Sequence, residues 1–251
     1  MAHFYLDDSL AAQLGEAGRE VGAVVRLRGP DARHAVTVSR VRPGERLRLG
    51  DGAGLVVHGT VSRAESAEVS LEVERVERTP RPAPRIHLVQ ALAKGDRDEL
   101  ALQAATELGV DVVVPWQAAR SVSRWDAAKA VKGRERWTTI AREASKQSLR
   151  AWLPEIEPVA STKQLVEHAS SATMLVLDPL GDVALAQLSA AELGDGDIVL
   201  VVGPEGGIAD EEFAALSAAG ARRVRLGPTV LRTSTAGPAA IAVLSAALGR
   251  W

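Results

Sequence analysis

Two stretches of the chain place a turn of glycine and proline just where an apolar run ends: VVGPEGGIADEEF (Val201–Phe213) and RLGPTVLRTSTAG (Arg225–Gly237). In the first, Gly203, Pro204, Gly206 and Gly207 leave backbone N–H and C=O groups open to a ligand, because little side chain stands in front of them. The helical pattern behind this loop opens on Asp210, Glu211 and Glu212. No Lys-Ser or Lys-Thr follows the glycines, and three acids at a helix start repel phosphate. A neutral or cationic ligand is the compatible one. The second stretch repeats the order of strand, Gly-Pro turn and helix. Two such turns at two strand ends would frame one flat pocket edged by backbone groups, as an adenine ring requires. Arg232 stands at its mouth, where a fixed cation would stabilise an anion on a second substrate.

Other chemistries find less support. GDGAG (Gly50–Gly54) fits a glycine-rich nucleotide fingerprint in spelling, but LRL precedes it and LVVHGTV follows. A fingerprint needs a strand before and a helix after, so a β-hairpin turn is expected. With no cysteine there are no disulfides, thiolate metal sites or cysteine nucleophiles. The five histidines show no metal-ligand spacing, so no metal is expected. No G-x-S-x-G elbow occurs. His87, inside an apolar run, reads as a packed histidine.

The elements that must position these loops follow from patterning. Between Val24 and Glu77, short segments of period-two alternation separated by glycines read as a small β domain, a barrel, with one helix around Pro30–Val41. TPRPAPR (Thr79–Arg85) has three prolines in seven residues and reads as an extended linker. Beyond it, IHLVQALA, VDVVVPW, ATMLVLD, DIVLVVG and RRVRLG alternate with helical patterns. Buried strands alternating with helices indicate an α/β domain with a mostly parallel sheet covered on both faces. The expected division is 1–78, linker 79–85, and 86–251.

Charge is segregated beneath a net value of −2. Arg19–Arg48 holds eight arginines against three acids, and Arg120–Arg150 nine basic residues against three acids. From Glu155 to Gly220 there are twelve acids and one lysine. Two basic segments in a nearly neutral protein suggest a local polyanion footprint. No apolar run approaches the length of a membrane span, and MAHFYLDDSL lacks the pattern of a secretory signal, so a cytoplasmic protein is expected.

At the level of whole motifs the chain resembles the ribosomal RNA small-subunit methyltransferase E family of the SPOUT class. The resemblance lies in HAVTVSRVRPGERLRLGDG, LVQALAKGDRDELALQAATELGV, EASKQSLRAWLPEI, VGPEGGIADEE and LGPTVLRTSTA, in that order. It implies an N-terminal PUA-like RNA-binding β-barrel and a C-terminal trefoil-knotted α/β domain that forms a homodimer. It also implies methylation of N3 of a uridine in 16S rRNA, with S-adenosyl-L-methionine as cofactor and the rRNA or small ribosomal subunit as partner. The sulfonium of that cofactor is cationic and it carries no phosphate, which suits the acid-flanked glycine loop.

Carried over by resemblance, the cofactor contacts are Leu177, Gly203, Pro204, Glu205, Gly206, Gly207, Leu226, Gly227, Leu231, Arg232 and Thr233. Arg232 is the catalytic candidate. RNA contacts are expected from Arg26, Arg28, His34, Arg40 and Arg42 on the barrel, and from Lys94, Arg97, Arg120, Arg124, Gln147 and Arg150 on the second domain. One departure bears on mechanism. Many members read Leu-Arg-Thr-Glu-Thr where this chain has Leu231, Arg232, Thr233, Ser234 and Thr235, and a serine is no carboxylate base. A second is Ala119, where a polar residue is frequent. Two alternatives remain open: a knotted methyltransferase acting on another RNA such as tRNA, and a non-catalytic RNA-binding ribosome assembly factor.

Overall fold

The computed structural model describes residues 3–169 and 172–251, so the first two residues of the opening segment lie outside it. By internal contacts the chain divides into two compact units. One is the chain up to Arg81 together with Ser145–Leu153; the other is Pro82–Ala144 together with Pro154–Trp251.

The first unit contains β1 (His3–Leu6), α1 (Leu10–Ala17), β2 (Val24–Arg28), α2 (Gly29–Thr37), β3 (Arg46–Gly50), β4 (Leu55–Glu65) and β5 (Glu68–Arg78). Its sheet runs β1-β3-β4-β5-β2. Alternating Val and Leu turn inward: Val25, Leu27, Leu47, Leu49, Val57, Val69 and Leu71 form one buried core. The period of two in the sequence is this inward-outward alternation. At the β2 edge, the Gln13 side chain of α1 accepts from the Arg26 N–H at 2.7 Å and donates to the Arg26 carbonyl at 3.0 Å. An edge strand's spare backbone groups are thus occupied by an amide. The helix expected around Pro30–Val41 ends earlier, at Thr37, and Arg40 takes a positive φ of 55°.

GDGAG joins β3 and β4, which pair antiparallel, so it is a hairpin connection. Asp51 Oδ1 closes it by accepting from the N–H groups of Ala53 (2.7 Å) and Leu55 (3.0 Å). Residues 145–153 pack here. Ala151 and Leu153 join Phe4, Leu6 and Val56, the Leu153 N–H donates to the Gly52 carbonyl, and Trp152 Nε1 donates to the Thr79 carbonyl at 2.9 Å.

The second unit contains β6 (Ile86–Ala91), α3 (Arg97–Glu107), β7 (Val112–Trp116), α4 (Ala127–Gln147, its last turn counted with the first unit), β8 (Glu155–Ile156), α5 (Thr162–Ala169), β9 (Thr173–Leu177), β10 (Val183–Ala184), α6 (Ala190–Leu193), β11 (Ile198–Val202), α7 (Asp210–Ala218), β12 (Arg222–Arg225) and α8 (Thr233–Ala247). The sheet runs β10-β12-β9-β11-β6-β7-β8, and every pairing is parallel. Both faces are covered. Leu88, Leu175 and Leu200 pack with Leu102 of α3, Trp137 of α4 and Ile241 of α8. Their neighbours Val89, Val176 and Val201 pack with Leu165 of α5 and Leu216 of α7. Burial on both faces is why these strands read as continuous apolar runs.

α8 carries few polar residues because its own core takes them in: Gly237, Ala240, Ile241, Leu244 and Ser245 are buried. A Cβ on Gly237 would stand 2.9 Å from Leu88 Cδ1, so helix and sheet approach closely. Among the described residues, no helix is long and apolar enough to cross a membrane.

Gly54 gives a test of the first unit. Its φ is +99°, and a Cβ there would lie 2.6 Å from the Thr79 carbonyl oxygen and 2.7 Å from the Trp152 ring. Gly54→Ala is expected to destabilise this unit by about 2–4 kcal/mol through backbone strain and overpacking. A urea titration followed by circular dichroism checks this; an unshifted midpoint refutes the close approach.

Candidate functional site

In a parallel sheet every strand ends at the same edge, and ligands bind outside those carboxyl ends. β9, β11 and β12 do so side by side, with Leu177 in register with both Val202 and Val224. The segments that leave them enclose a cavity of about 420 Å³. Leu177, Asp178 and Pro179 come from the end of β9. Val202, Gly203, Pro204, Glu205, Gly207 and Ile208 follow β11, and Leu226, Gly227 and Thr229–Thr233 follow β12. Ala236 of α8 and Arg97 of α3 complete the wall.

The cofactor residues expected from the sequence thus come together, with one exception. Gly206 does not line the cavity; it faces Arg120, whose Nη1 donates to the carbonyls of Gly206 (3.3 Å) and Ile208 (3.4 Å) from outside the loop. Gly203 needs its hydrogen, since a Cβ would stand 2.7 Å from Ile208 Cγ1. The Gly207 N–H donates to the Pro204 carbonyl at 2.9 Å, closing the turn.

Side chains fix the loops from behind. Thr233, the first residue of α8, donates its hydroxyl to the Gly203 carbonyl at 2.9 Å and accepts from Gln90 Nε2 at 2.9 Å. Glu205 Oε1 accepts from the Lys94 N–H at 3.1 Å and from Arg97 Nη1 at 2.9 Å. Partial burial works against its charge, but hydrogen bonds from its own backbone, from Lys94 and from Arg97 outweigh this and hold its pKa below the usual carboxylate value. Arg97, expected at the RNA, is therefore part of the cavity wall.

The three acids behind the loop do different things. Asp210 and Glu211 include an exposed pair of side chains, whereas Glu212 is buried. Glu212 accepts from the N–H groups of Ala119 (2.9 Å) and Ala209 (3.3 Å) and from the Thr162 hydroxyl (2.6 Å), tying α7 to the segment before Arg120. Asp178, missed in the sequence, lines the cavity and receives Arg223 Nη2 at 2.7 Å. Pro179, Val202, Ile208, Thr229, Val230 and Ala236 were missed as well; they are ordinary loop and core types with no sequence signal. Gln90 did carry one, as a polar residue inside an apolar strand.

The RNA candidates are distributed over both units. Arg26 and Arg28 are exposed on β2 and share Glu68, at 3.5 and 2.9 Å. His34 is exposed on α2 with its ring inclined to that of Tyr5, and Arg40 and Arg42 are exposed before β3. Gln147 and Arg150, expected on the second domain, fall in the first unit with the segment that packs against its strands. Lys94, Arg120 and Arg124 belong to the second unit; Arg124 Nη2 donates to the Ala119 carbonyl at 3.0 Å. His87 is the second residue of β6, toward the end of the strand opposite the cavity. Burial lowers its pKa, against the pull of Asp197 at 3.1 Å, which makes it a packing residue. Among the described residues, no cluster of His, Cys, Asp and Glu could hold a metal ion.

The cavity fits S-adenosylmethionine in kind. Its volume is in the range of small-molecule sites. Exposed strand-end backbone can read a base, and the carboxylates of Asp178 and Glu205 in the wall are compatible with a cationic centre.

Comparison with known proteins agrees with the division of labour. The model of an RNA methyltransferase domain matches residues 79–245, and that of an RNA methyltransferase PUA domain matches 27–74. The chain is 44% identical to the ribosomal RNA small subunit methyltransferase E of Mycobacterium bovis, over 92% of this chain and 90% of that one. It is 32% identical to the Bacillus subtilis protein of the same name, over 87% and 88%. Among solved structures, the ribosomal RNA small subunit methyltransferase E from Neisseria gonorrhoeae bound to S-adenosyl methionine superposes with a TM-score of 0.84 at 29% identity, covering 98% of each chain.

The Glu205 clamp has a pH signature. A carboxylate whose folded pKa is lowered adds stability above its unfolded value, near 4.5, and loses it as pH falls through the folded value. Glu205→Gln is therefore expected to lower the thermal midpoint near pH 7, and the gap to the wild type should close as pH falls from the unfolded value near 4.5 through the lower folded value. A gap that stays constant with pH rules out a charge-based clamp.

Proposed function

The chain belongs to the ribosomal RNA small subunit methyltransferase E family, and from that premise we propose that it methylates N3 of a uridine in 16S rRNA, with S-adenosylmethionine as cofactor. The observation that carries this reading is the single cavity framed by the glycine loop and the Arg232 loop at one edge of the sheet. The same reading gives a trefoil-knotted catalytic domain, a PUA-like first domain that holds RNA, a C-terminal homodimer, and a cytoplasmic site of action. The apolar character of α8 is met by its own core, so the homodimer rests on the family resemblance.

The cofactor supplies an electrophilic methyl group for in-line displacement. What remains for the protein is orientation and removal of a proton from the nucleophile. The backbone of Gly203, Pro204, Glu205 and Gly207 and of Leu226–Gly227 would hold the adenine end, and Asp178 and Glu205 would keep the wall from excluding a cation. Uracil N3 must lose its proton before or during attack. Arg232, exposed at the N-cap of α8, would stabilise the resulting anion through O2 or O4. Ser234 stands where many relatives have glutamate, so solvent is the proton acceptor in this scheme. The exposed arginines of the first unit would hold phosphates, and their contribution should fall with salt. A splayed base, rather than duplex readout, is the substrate form that reaches a recessed cavity.

Mass spectrometry of 16S rRNA nucleosides from a deletion strain tests the assignment. N3-methyluridine is expected to be lost and to return when the gene is restored; loss from tRNA alone would move the reading to another RNA. Arg232→Ala is expected to lower single-turnover rates by about two to three powers of ten, as loss of one oxyanion donor does. Its rate should recover partly as pH rises, because hydroxide then helps remove the N3 proton. Arg232→Lys should recover little, lacking the planar fork. Ser234→Ala should cost roughly tenfold or less, as one neutral hydrogen bond would; a loss equal to that of Arg232→Ala would put the serine in the proton path. Replacing Arg26, Arg28, Arg40 and Arg42 by alanine should weaken RNA binding and flatten its salt dependence while leaving cofactor affinity nearly unchanged.

A further inference from the structure

Gln90 is fully buried in the middle of the sheet, on β6, and lies outside the cavity wall. It reaches the site through one hydroxyl. Gln90 Nε2 donates to Thr233 Oγ1 at 2.9 Å, and Thr233 Oγ1 donates to the Gly203 carbonyl at 2.9 Å. The direction of this chain is fixed by counting protons. A threonine hydroxyl has one, and the Gly203 carbonyl can only accept, so that proton is committed to it. The remaining partner must then be a donor, which sets the amide with nitrogen toward Thr233. A second contact agrees, since Nε2 also donates to the Ala91 carbonyl at 3.3 Å. The consequence is visible at the other end of the amide: Gln90 Oε1 is buried without a hydrogen-bond partner among the described residues. A buried acceptor left unsatisfied is unfavourable, so the fold tolerates it for what the nitrogen does.

We propose that Gln90 is a positioning residue for the cofactor: by polarising and orienting Thr233, it locks the glycine loop after β11 to the start of α8, and so sets the spacing between the two loops that would clasp S-adenosylmethionine. The three linked residues sit on β6, at the end of β11, and at the start of α8. Those elements carry both Gly203 and Arg232 into the wall of the cavity. Apolar contacts hold helix and sheet together but leave small sliding motions cheap; a directional hydrogen-bonded chain does not. The inference rests on the reading that this cavity binds S-adenosylmethionine.

Isothermal titration of S-adenosylmethionine into the full-length protein, without RNA, tests it. Gln90→Met keeps the length and volume of the side chain and removes the donor; it is expected to weaken cofactor binding by about fivefold to tenfold, the scale of one hydrogen bond. Thr233→Val should weaken it at least as much, and Thr233→Ser, which keeps the hydroxyl, should recover most of that loss. Because the two residues act in one chain, the double variant Gln90→Met/Thr233→Val should bind no more weakly than Thr233→Val alone. Additive losses, or wild-type affinity in Gln90→Met, would overturn the proposal. Should Gln90→Met fail to fold, the Thr233 pair reads the same chain from its other end, and equal losses in Thr233→Val and Thr233→Ser would overturn it. Wild-type protein that shows no S-adenosylmethionine binding removes the functional reading and this inference together, whereas failure of the variants alone removes only the inference.

Discussion

β11 pairs in parallel with β9 along one side and with β6 along the other, five residues on each. The site depends on this double pairing. β11 comes after β9 in the chain yet lies between β9 and β6, so its end is surrounded by strand ends rather than exposed at the rim of the sheet. The glycine loop that leaves it has β9 and β12 on one side and β6 on the other. That placement puts Gly203 within hydrogen-bonding distance of a residue on α8, thirty positions further along. It also lets one cavity draw its wall from three separate strand ends.

The loops themselves have little to hold them. Glycines that open the backbone to a ligand also give up the packing that would otherwise fix it. The structure supplies the order through polar contacts from behind: Thr233 on the Gly203 carbonyl, Glu205 on Lys94 and Arg97, and Glu212 on Ala119 and Thr162. Each of these contacts joins a loop to an element far away in sequence. The cavity is therefore shaped by the tertiary contacts of the whole second unit, with the glycines supplying clearance.

Charge follows a similar division. The acidic stretch of the sequence lies in the second unit. Two of its carboxylates, Asp178 and Glu205, line the cavity, with Asp178 held by Arg223 and Glu205 by Arg97, while Glu212 is engaged in hydrogen bonds behind the glycine loop. The exposed arginines of β2 and the segment before β3 belong to the first unit. Exposed arginines on the first unit and a cavity compatible with a cation on the second suit a protein whose polyanionic substrate and cationic cofactor are bound at different places.

Much of the fold was legible because its signals are local. Period two in Val24–Glu77, the mostly apolar run at Ile86–Ala91, the unbroken one at Ile198–Val202, and Gly-Pro turns at two strand ends each report the burial or backbone geometry of their own few residues. They gave the α/β class, the parallel sheet and the glycine loops, and GDGAG could be read as a hairpin from its flanks alone. The two-residue strands β8 and β10 were not legible, since two residues carry no period. Neither was the packing of Ser145–Leu153 with the first unit: it arises from Ala151, Leu153 and Trp152 finding partners roughly a hundred positions earlier. The same limit applies at the site. The amino-acid types told which loops could meet a ligand, but not that Arg97 and Asp178 would stand in the wall, that Gly206 would turn away, or that Gln90 would reach Gly203 through a threonine. A hydrogen bond between residues 143 positions apart leaves no trace in the spacing of either neighbourhood. Only the order of strands in the folded sheet decides it.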